Sequence, residues 1–432
     1  MAREMKESGV EWIGKIPTEW ELKPLKMVLS CFGRIGFRGY TQEDLVDEGE
    51  GPITLSPTNI IDSKLSLEKC SYISWDKYYE SPEIMLNKGD IVFVKTASVG
   101  KCAIYDSDEK ATVNPQFVVL KDISCDKKFL FYSLISPMVQ TPIALSNFGS
   151  VIGTITQKQL LSYKICIPSL SEQACIASFL DTECSRIDSV IERTRASIEE
   201  YKKLKQAVIT QAVTKGIRPN REMKDSGIEW VGEMPVEWES ITPKALFSQR
   251  KEKAIKGERQ LTASQQHGVI YQDEYMELTG TKIVTVEKDF DILKHVEAGD
   301  FVISMRSFQG GLEYSTKTGS ISSAYVMLIP NLNKVFPRFF RWLLKSSVYI
   351  NALQSTTNMV RDGQAMRYSN FVQIRLYEVP LLEQEEIADY LDDKIMAVDT
   401  LIVQKEQLLT ELESYKKSLI FEYVTGKKEV PA

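Results

Sequence analysis

The sequence predicts an α+β protein built twice over: two mixed α/β domains separated by two long helices that pair as an antiparallel coiled coil. Three observations carry that reading. Glu172–Thr214 and Glu383–Thr425 are copies of one helical segment, identical at 13 of 43 positions with an offset of 211. Arg3–Glu21 (REMKESGVEWIGKIPTEWE) and Arg221–Glu239 (REMKDSGIEWVGEMPVEWE) are copies of a second block, identical at 13 of 19 positions with an offset of 218. Between block and helix, each half holds a region of roughly 140–150 residues whose sequence has diverged. A repeat of half the chain is a duplicated architecture, not a solenoid of short units.

The helices come first. Stepping by four and then three residues, the first copy gives Leu180, Cys184, Ile187, Ile191, Thr194, Ile198, Tyr201, Lys205, Val208 and Ala212. The second gives Leu391, Ile395, Val398, Ile402, Lys405, Leu409, Leu412, Lys416, Leu419 and Tyr423. This is an a/d seam with a 3.5-residue repeat, the pattern that makes one helix wind on another. Lys205 and Lys416 interrupt both seams at the same place, so the copies are expected to pair within one chain. At 1.5 Å per residue each helix is about 65 Å long.

Composition sets the bounds. The chain has 432 residues, enough for two domains plus the helices, and is 43% hydrophobic and 26% charged, as soluble globular proteins are. Met1–Lys15 lacks the apolar core of a signal peptide, and no run of 18 apolar residues occurs, so a cytoplasmic protein without a membrane partner is expected. All seven cysteines lie in the first half, at 31, 70, 102, 125, 166, 175 and 184, without a CxxC pair. A duplicated protein held by disulfides or zinc would carry them in both halves, so free thiols are expected. The same reasoning disfavours a catalytic or metal role for His267 or His295, which occur in the second half alone. A net charge of −6 opposes indiscriminate polyanion binding but permits a local basic surface.

The repeated N-terminal block contains a false lead. Gly9–Lys15 (GVEWIGK) fits the opening of a phosphate-binding P-loop, yet Ile16 stands where the Mg²⁺-binding Ser or Thr belongs, and the second copy has Glu233 in place of the lysine. The block instead reads as turn-rich, with Trp12, Trp20, Trp230 and Trp238 as apolar anchors. Gly216 and Gly426 follow the long helices as C-terminal stops.

The variable regions share a skeleton. Gly89–Val94 and Gly299–Ser304 read as a turn and a buried strand; each runs into a polar loop with a basic residue and a closing glycine, Lys95–Lys101 and Met305–Gly310. Paired strands follow at Gln116–Leu120 and Ala324–Leu328, then aromatic-rich helices at Phe129–Ile135 and Phe339–Leu344. Polar loops at Ser146–Lys158 and Thr356–Arg367 close the regions. Shared skeleton with divergent residues suggests one task performed on two targets.

Chemistry is scarce. Asn114-Pro115-Gln116-Phe117 resembles the Asn-Pro-Pro-aromatic loop of amino-methyltransferases but lacks the second proline, and no glycine-rich cofactor loop follows a strand. The scarcity of histidine leaves no Ser-His-Asp, Cys-His or metal-ligand constellation. A self-contained DNA methyltransferase and a non-catalytic coiled-coil scaffold remain as alternatives to a binding and positioning subunit.

With these motifs in the same order twice, the chain resembles the specificity subunits of Type I DNA restriction–modification systems. The resemblance spans the whole chain and rests on SGVEWIGKIPTEW and SGIEWVGEMPVEW, the PxLxEQ and PLLEQ openings at Pro168 and Pro380, the IxxxLD runs at Ile176 and Ile387, and the endings QAVTKG and YVTG. It implies target-recognition domains at 1–167 and 218–379, each reading half of a split double-stranded DNA site. It implies that the helices, 168–217 and 380–432, set the gap between half-sites and dock two methyltransferase subunits. Those partners bind S-adenosylmethionine and methylate adenine; motor-nuclease subunits, using ATP and Mg²⁺, cleave unmodified DNA. The specificity subunit itself is non-catalytic and binds no cofactor.

For such a role, base edges call for Arg, Lys, Asn, Gln, Ser and Thr on loops, and phosphates for Lys and Arg. In the first domain the candidates are Lys95, Thr96, Ser98 and Lys101, then Asn147, Ser150, Thr154, Gln157 and Lys158, with Arg34 and Arg38 of GRIGFRG toward phosphates. In the second they are Arg306, Ser307 and Gln309, then Asn358, Arg361, Gln364 and Arg367. Arg250, Lys251 and Lys253, in the basic run up to Arg259, are expected along phosphates.

Overall fold

The strand Ile91–Val94 is buried at every position, because its alternate side chains feed two cores. Ile91 and Phe93 enter one, Val92 and Val94 the other. It pairs antiparallel with Phe117–Lys121, Ile91 opposite Leu120 and Val94 opposite Phe117, and that strand divides its side chains in the same way. Cys102–Ile104 and Ser30–Phe32 complete a four-stranded sheet. This computed structural model describes residues 3–147, 153–286, 290–356 and 366–431, and the chain forms two compact units: Met1–Arg195 with Gln407–Ala432, and Ala196–Glu406. The second unit repeats the sheet in the same order, with Phe247–Arg250, Val326–Pro330, Phe301–Ile303 and Glu313–Tyr314. There Phe301, Ile303 and Leu328 face the larger core, and Val302 and Met327 the smaller. Period-two strands with both faces covered are what a short, continuous apolar run implies. The expected aromatic helices are present as Lys127–Ile135 and Pro337–Leu343.

The two long helices are α1, Leu170–Lys215, and α2, Leu381–Val424. They run antiparallel, as expected. The seam positions Leu180, Ile187, Ile191 and Ile198 on α1, and Leu391, Ile395 and Leu419 on α2, are buried. Tyr201, Val208, Val398, Ile402, Leu409 and Leu412 are half-buried, because a two-helix pair leaves the flanks of its seam open. The lysines that interrupt the seam are its register pins. In the first unit Lys416 Nζ lies 2.5 Å from Asp188 Oδ1; in the second, Lys205 Nζ lies 2.6 and 2.7 Å from the two oxygens of Asp399. Asp188 and Asp399 are themselves separated by the repeat offset of 211. A slip of one turn would separate each lysine from its carboxylate, so the pairs fix direction and register together.

Each helix start is clamped by the repeated block, which is a hairpin in both copies: Met5–Glu7 with Lys15–Pro17, and Met223–Asp225 with Glu233–Pro235. The false P-loop is its turn, with Gly9 and Gly14 at φ +73° and +70°, a conformation open to glycine. Trp20 and Trp238 are fully buried, but as more than apolar anchors. The indole of Trp20 donates to Glu172 (3.1 Å) and that of Trp238 to Glu383 (3.2 Å). Arg3 and Arg221 grip the same two carboxylates. Trp12 is 38% exposed and donates to the Met138 carbonyl, as Trp230 does to that of Arg375.

The next helical residues tie the helix to the rest of its unit. Gln173 accepts from the Asp126 amide and Gln384 from that of Phe336. About two helical turns later, Asp181 accepts from Tyr132 (2.8 Å) and Asp392 from Trp342 (2.8 Å), with Lys128 and Arg338 beside them. In the first unit a further brace reaches α1 from the hairpin Ile60–Ile61/Lys64–Leu65: Asp62 meets Arg195 at 2.9 Å, and Arg195 meets Glu413 of α2 at 3.1 Å.

His295 is buried between two carboxylates, Nδ1 2.7 Å from Glu258 and Nε2 2.9 Å from Glu297. Burial alone would lower its pKa; the hydrogen bonds to Glu297 and Glu258 outweigh it and raise the value above 6.5. The stabilisation is therefore full below pH 6.5 and is lost as pH rises through the folded-state value. Replacing His295 by Gln should remove that component, so the melting temperatures of parent and variant should converge as pH rises from 6 to 9; parallel curves would contradict it. A double-mutant cycle of Lys416→Ala with Asp188→Ala should show coupling of about 1 kcal/mol in chemical unfolding, the scale of a partly exposed ion pair.

Candidate nucleic-acid interface

In the first unit the loop after Ile91–Val94 and the segment at 153–158 form one surface. Thr96 bridges Thr154, the Ala97 amide donates to the Gly153 carbonyl and the Ile155 amide to that of Lys95, both at 2.9 Å. Asn147 closes the corner: its Oδ1 accepts the Thr154 amide at 2.8 Å while its Nδ2 donates to Ile143. Thr156 caps the helix Gln157–Ser162. Two loops far apart in sequence are thus held together by backbone pairing. Ser98, Lys101, Thr154 and Lys158 are exposed; Lys95, Thr96, Asn147 and Gln157 are half-buried. Lys95 lies near Cys31, whose thiol is pushed up to about 12 by burial, with the ammonium offsetting part of the rise. Ser150 lies outside the described residues.

Arg34 and Arg38 differ from the expectation. Arg34 is buried: its guanidinium donates to the carbonyls of Arg38 and Val113 and lies over the Tyr40 ring at 5.1 Å, while burial lowers its pKa. It is an internal strut. Arg38 donates to the Glu80 carbonyl at 3.0 Å, tying this loop to the helix Trp75–Tyr79.

In the second unit the corresponding loop follows Phe301–Ile303. Arg306 and Gln309 are exposed. Ser307 is not: 1% exposed, its hydroxyl accepts the Ser304 amide at 2.8 Å and shapes the turn from within. Gln354 supports the loop by donating to the Phe308 carbonyl at 2.8 Å. Arg367 is exposed at the head of the helix Tyr368–Gln373; Asn358, Arg361 and Gln364 lie outside the described residues. The basic run is less free than its sequence suggests. Arg250 is held by Asp300 (2.6 and 3.0 Å) and Glu252, and Arg259 by Asp273 and Glu274 above the ring of Tyr271. Lys251 and Lys253 remain exposed. Sequence reading also passed over the hairpin Leu261–Ser264/Gly268–Tyr271, whose tip stands beside the Arg306 loop and whose only signal was a polar run ending in glycine.

The Asn114–Phe117 segment is a turn into a strand: the Asn114 amide group exchanges hydrogen bonds with the Gln116 amide (3.0 Å) and side chain (3.1 Å). Among the described residues no single helix is long and apolar enough to cross a membrane.

Residues 61–200 match the family model described as the Type I restriction modification DNA specificity domain. The putative type I restriction enzyme MjaX specificity subunit of Methanocaldococcus jannaschii is 27% identical over 97% of this chain and 96% of its own length. The StySPI specificity subunit of Salmonella potsdam is 22% identical over 96% and 90%. A solved chain, described in terms of complex assembly and conformational transition of the type I R-M system, covers 96% of this chain and 99% of its own at 14% identity with a TM-score of 0.68. The HsdS subunit of Thermoanaerobacter tengcongensis covers 96% and 98% at 14% identity and a TM-score of 0.50, a likeness of fold. The domain match over residues 61–200 and the relatives that run nearly the full length agree with the duplicated clamps and seam: this chain is similar, from end to end, to the specificity subunits of Type I DNA restriction–modification systems.

Proposed function

We propose that the domains at 1–167 and 218–379 each read one half of a bipartite double-stranded DNA site, and that the helical segments 168–217 and 380–432 set the gap between the halves. One observation carries this reading. The contacts that hold domain to helix are duplicated nearly residue for residue, while the exposed loops at the equivalent sheet ends share almost nothing: Lys95–Lys101 against Met305–Gly310. One framework presenting two different polar surfaces suits two different half-sites. Half-sites on one face of the duplex recur about every 34–36 Å, a distance that a rigid helix pair can impose.

The chain itself is non-catalytic in this scheme. Two methyltransferase subunits, carrying S-adenosylmethionine, dock on the helices and methylate adenine; motor-nuclease subunits with ATP and Mg²⁺ add cleavage of unmodified DNA. Exposed apolar residues at equivalent helix positions, Val190 with Leu401 and Leu204 with Tyr415, support a docking face that is used twice. Lys95, Lys101, Lys158, Lys251 and Lys253 serve phosphates; Thr96, Ser98, Thr154, Gln157, Arg306, Gln309 and Arg367 serve base edges.

Inserting one helical turn between Ile191 and Val208, with its match on α2, should change the preferred spacer while leaving both half-site sequences as they were. Methylation mapping of a spacer series checks this; altered half-site bases would overturn it. Lys101→Ala should weaken binding evenly across sequences and reduce the salt slope by about 1, whereas Arg306→Ala should relax one base position by about 1–3 kcal/mol. Titrations of matched and mismatched duplexes at several salt concentrations separate the two.

A further inference from the structure

The hairpin Leu261–Ser264/Gly268–Tyr271 is planted in the smaller core of the second unit. Leu261 and Val269 pack there with Val296, Val302, Ile321 and Met327. Ser264 pairs with Gly268, leaving a three-residue tip, Gln265-Gln266-His267, and Gly268 takes φ +67°, the left-handed position that such a loop requires. All three tip residues are exposed.

The tip also lies against the Arg306 loop. Gln265 Nε2 points to the Arg306 carbonyl at 3.5 Å, and a Cβ on Gly310 would fall 2.6 Å from Gln265 Cγ, so the approach needs glycine. Lys345 Nζ reaches the Gln265 carbonyl at 3.4 Å while paired with the buried Glu313 at 2.7 Å. The His267 ring stands edge-on to Tyr275 at 5.9 Å. Gln265 thus serves as the strut toward the Arg306 loop, and Gln266 and His267 stay exposed at the tip.

Resting on the function proposed above, we infer that Gln266 and His267 are specificity-determining residues for the second half-site, reading purine edges in the major groove next to the base met by Arg306. A two-stranded ribbon fits that groove. A carboxamide carries donor and acceptor side by side, which matches the N7 and N6 edge of adenine, and an imidazole N–H can donate to a purine N7.

The test is selection from duplexes randomised in both half-sites, using the full chain with its methyltransferase partners. Gln266→Ala should lose about tenfold of adenine preference at one base pair of the second half-site, and His267→Ala about tenfold of purine preference at an adjacent pair, with the first half-site profile intact as the control for folding. Gln266→Glu, an acceptor only, should move preference at that pair toward cytosine. Unchanged profiles, or an even loss across all sequences, would overturn the inference while leaving the bipartite reading in place. A parent complex that selects no bipartite site would overturn both.

Discussion

Everything in this molecule hangs from one carboxylate per half. Glu172 and Glu383, at the first turns of α1 and α2, each take an indole N–H from the repeated block and an arginine from the same block. An acid at a helix N-terminus also meets the positive end of the helix dipole. In the second copy the pair is nearly closed to water, with the Glu383 side chain 2% exposed, so leaving either partner single would bury an uncompensated charge. The domain is thereby fixed to the helix at its root, and its loops inherit their position from that joint.

The physics also explains why identity between the copies falls where it does. Glu172, Gln173, Asp181 and Asp188 all have identical counterparts in the second copy, and each counterpart makes the equivalent contact. Their partners need only the right chemistry: Tyr132 and Trp342 both donate to the aspartate, though the residues differ. At Asp181 and Asp392 the acceptor is kept while its donors vary, Lys128 and Tyr132 against Arg338 and Trp342; at the glutamates and at Asp188 and Asp399 the side-chain donors are copied as well.

The helices, their seam, the buried strands and the repeated block were legible because each follows a period or a copy. The partners of individual charges were not. Arg34, Arg250 and Ser307 look like surface polar residues in the sequence, yet a guanidinium that finds two carbonyls or a bidentate aspartate is drawn inward, and a hydroxyl four residues past a strand end caps the turn it sits in. Such partners come from distant segments, Val113 for Arg34 and Asp300 for Arg250, so no local pattern announces them. The hairpin tip escaped for the opposite reason: Gln-Gln-His has no periodicity, and its place is set by Gly310 and Lys345, 45 or more positions onward in the chain.

The two seam pins have one more consequence. Because each half contributes one lysine and one aspartate at the same spacing, Asp188 with Lys205 and Asp399 with Lys416, every half carries both the plug and the socket of the pairing. The surface is self-complementary in the isologous sense, the rule that governs twofold homodimers. Two such copies joined end to end in one sequence are free to differ wherever they do not contribute to the seam.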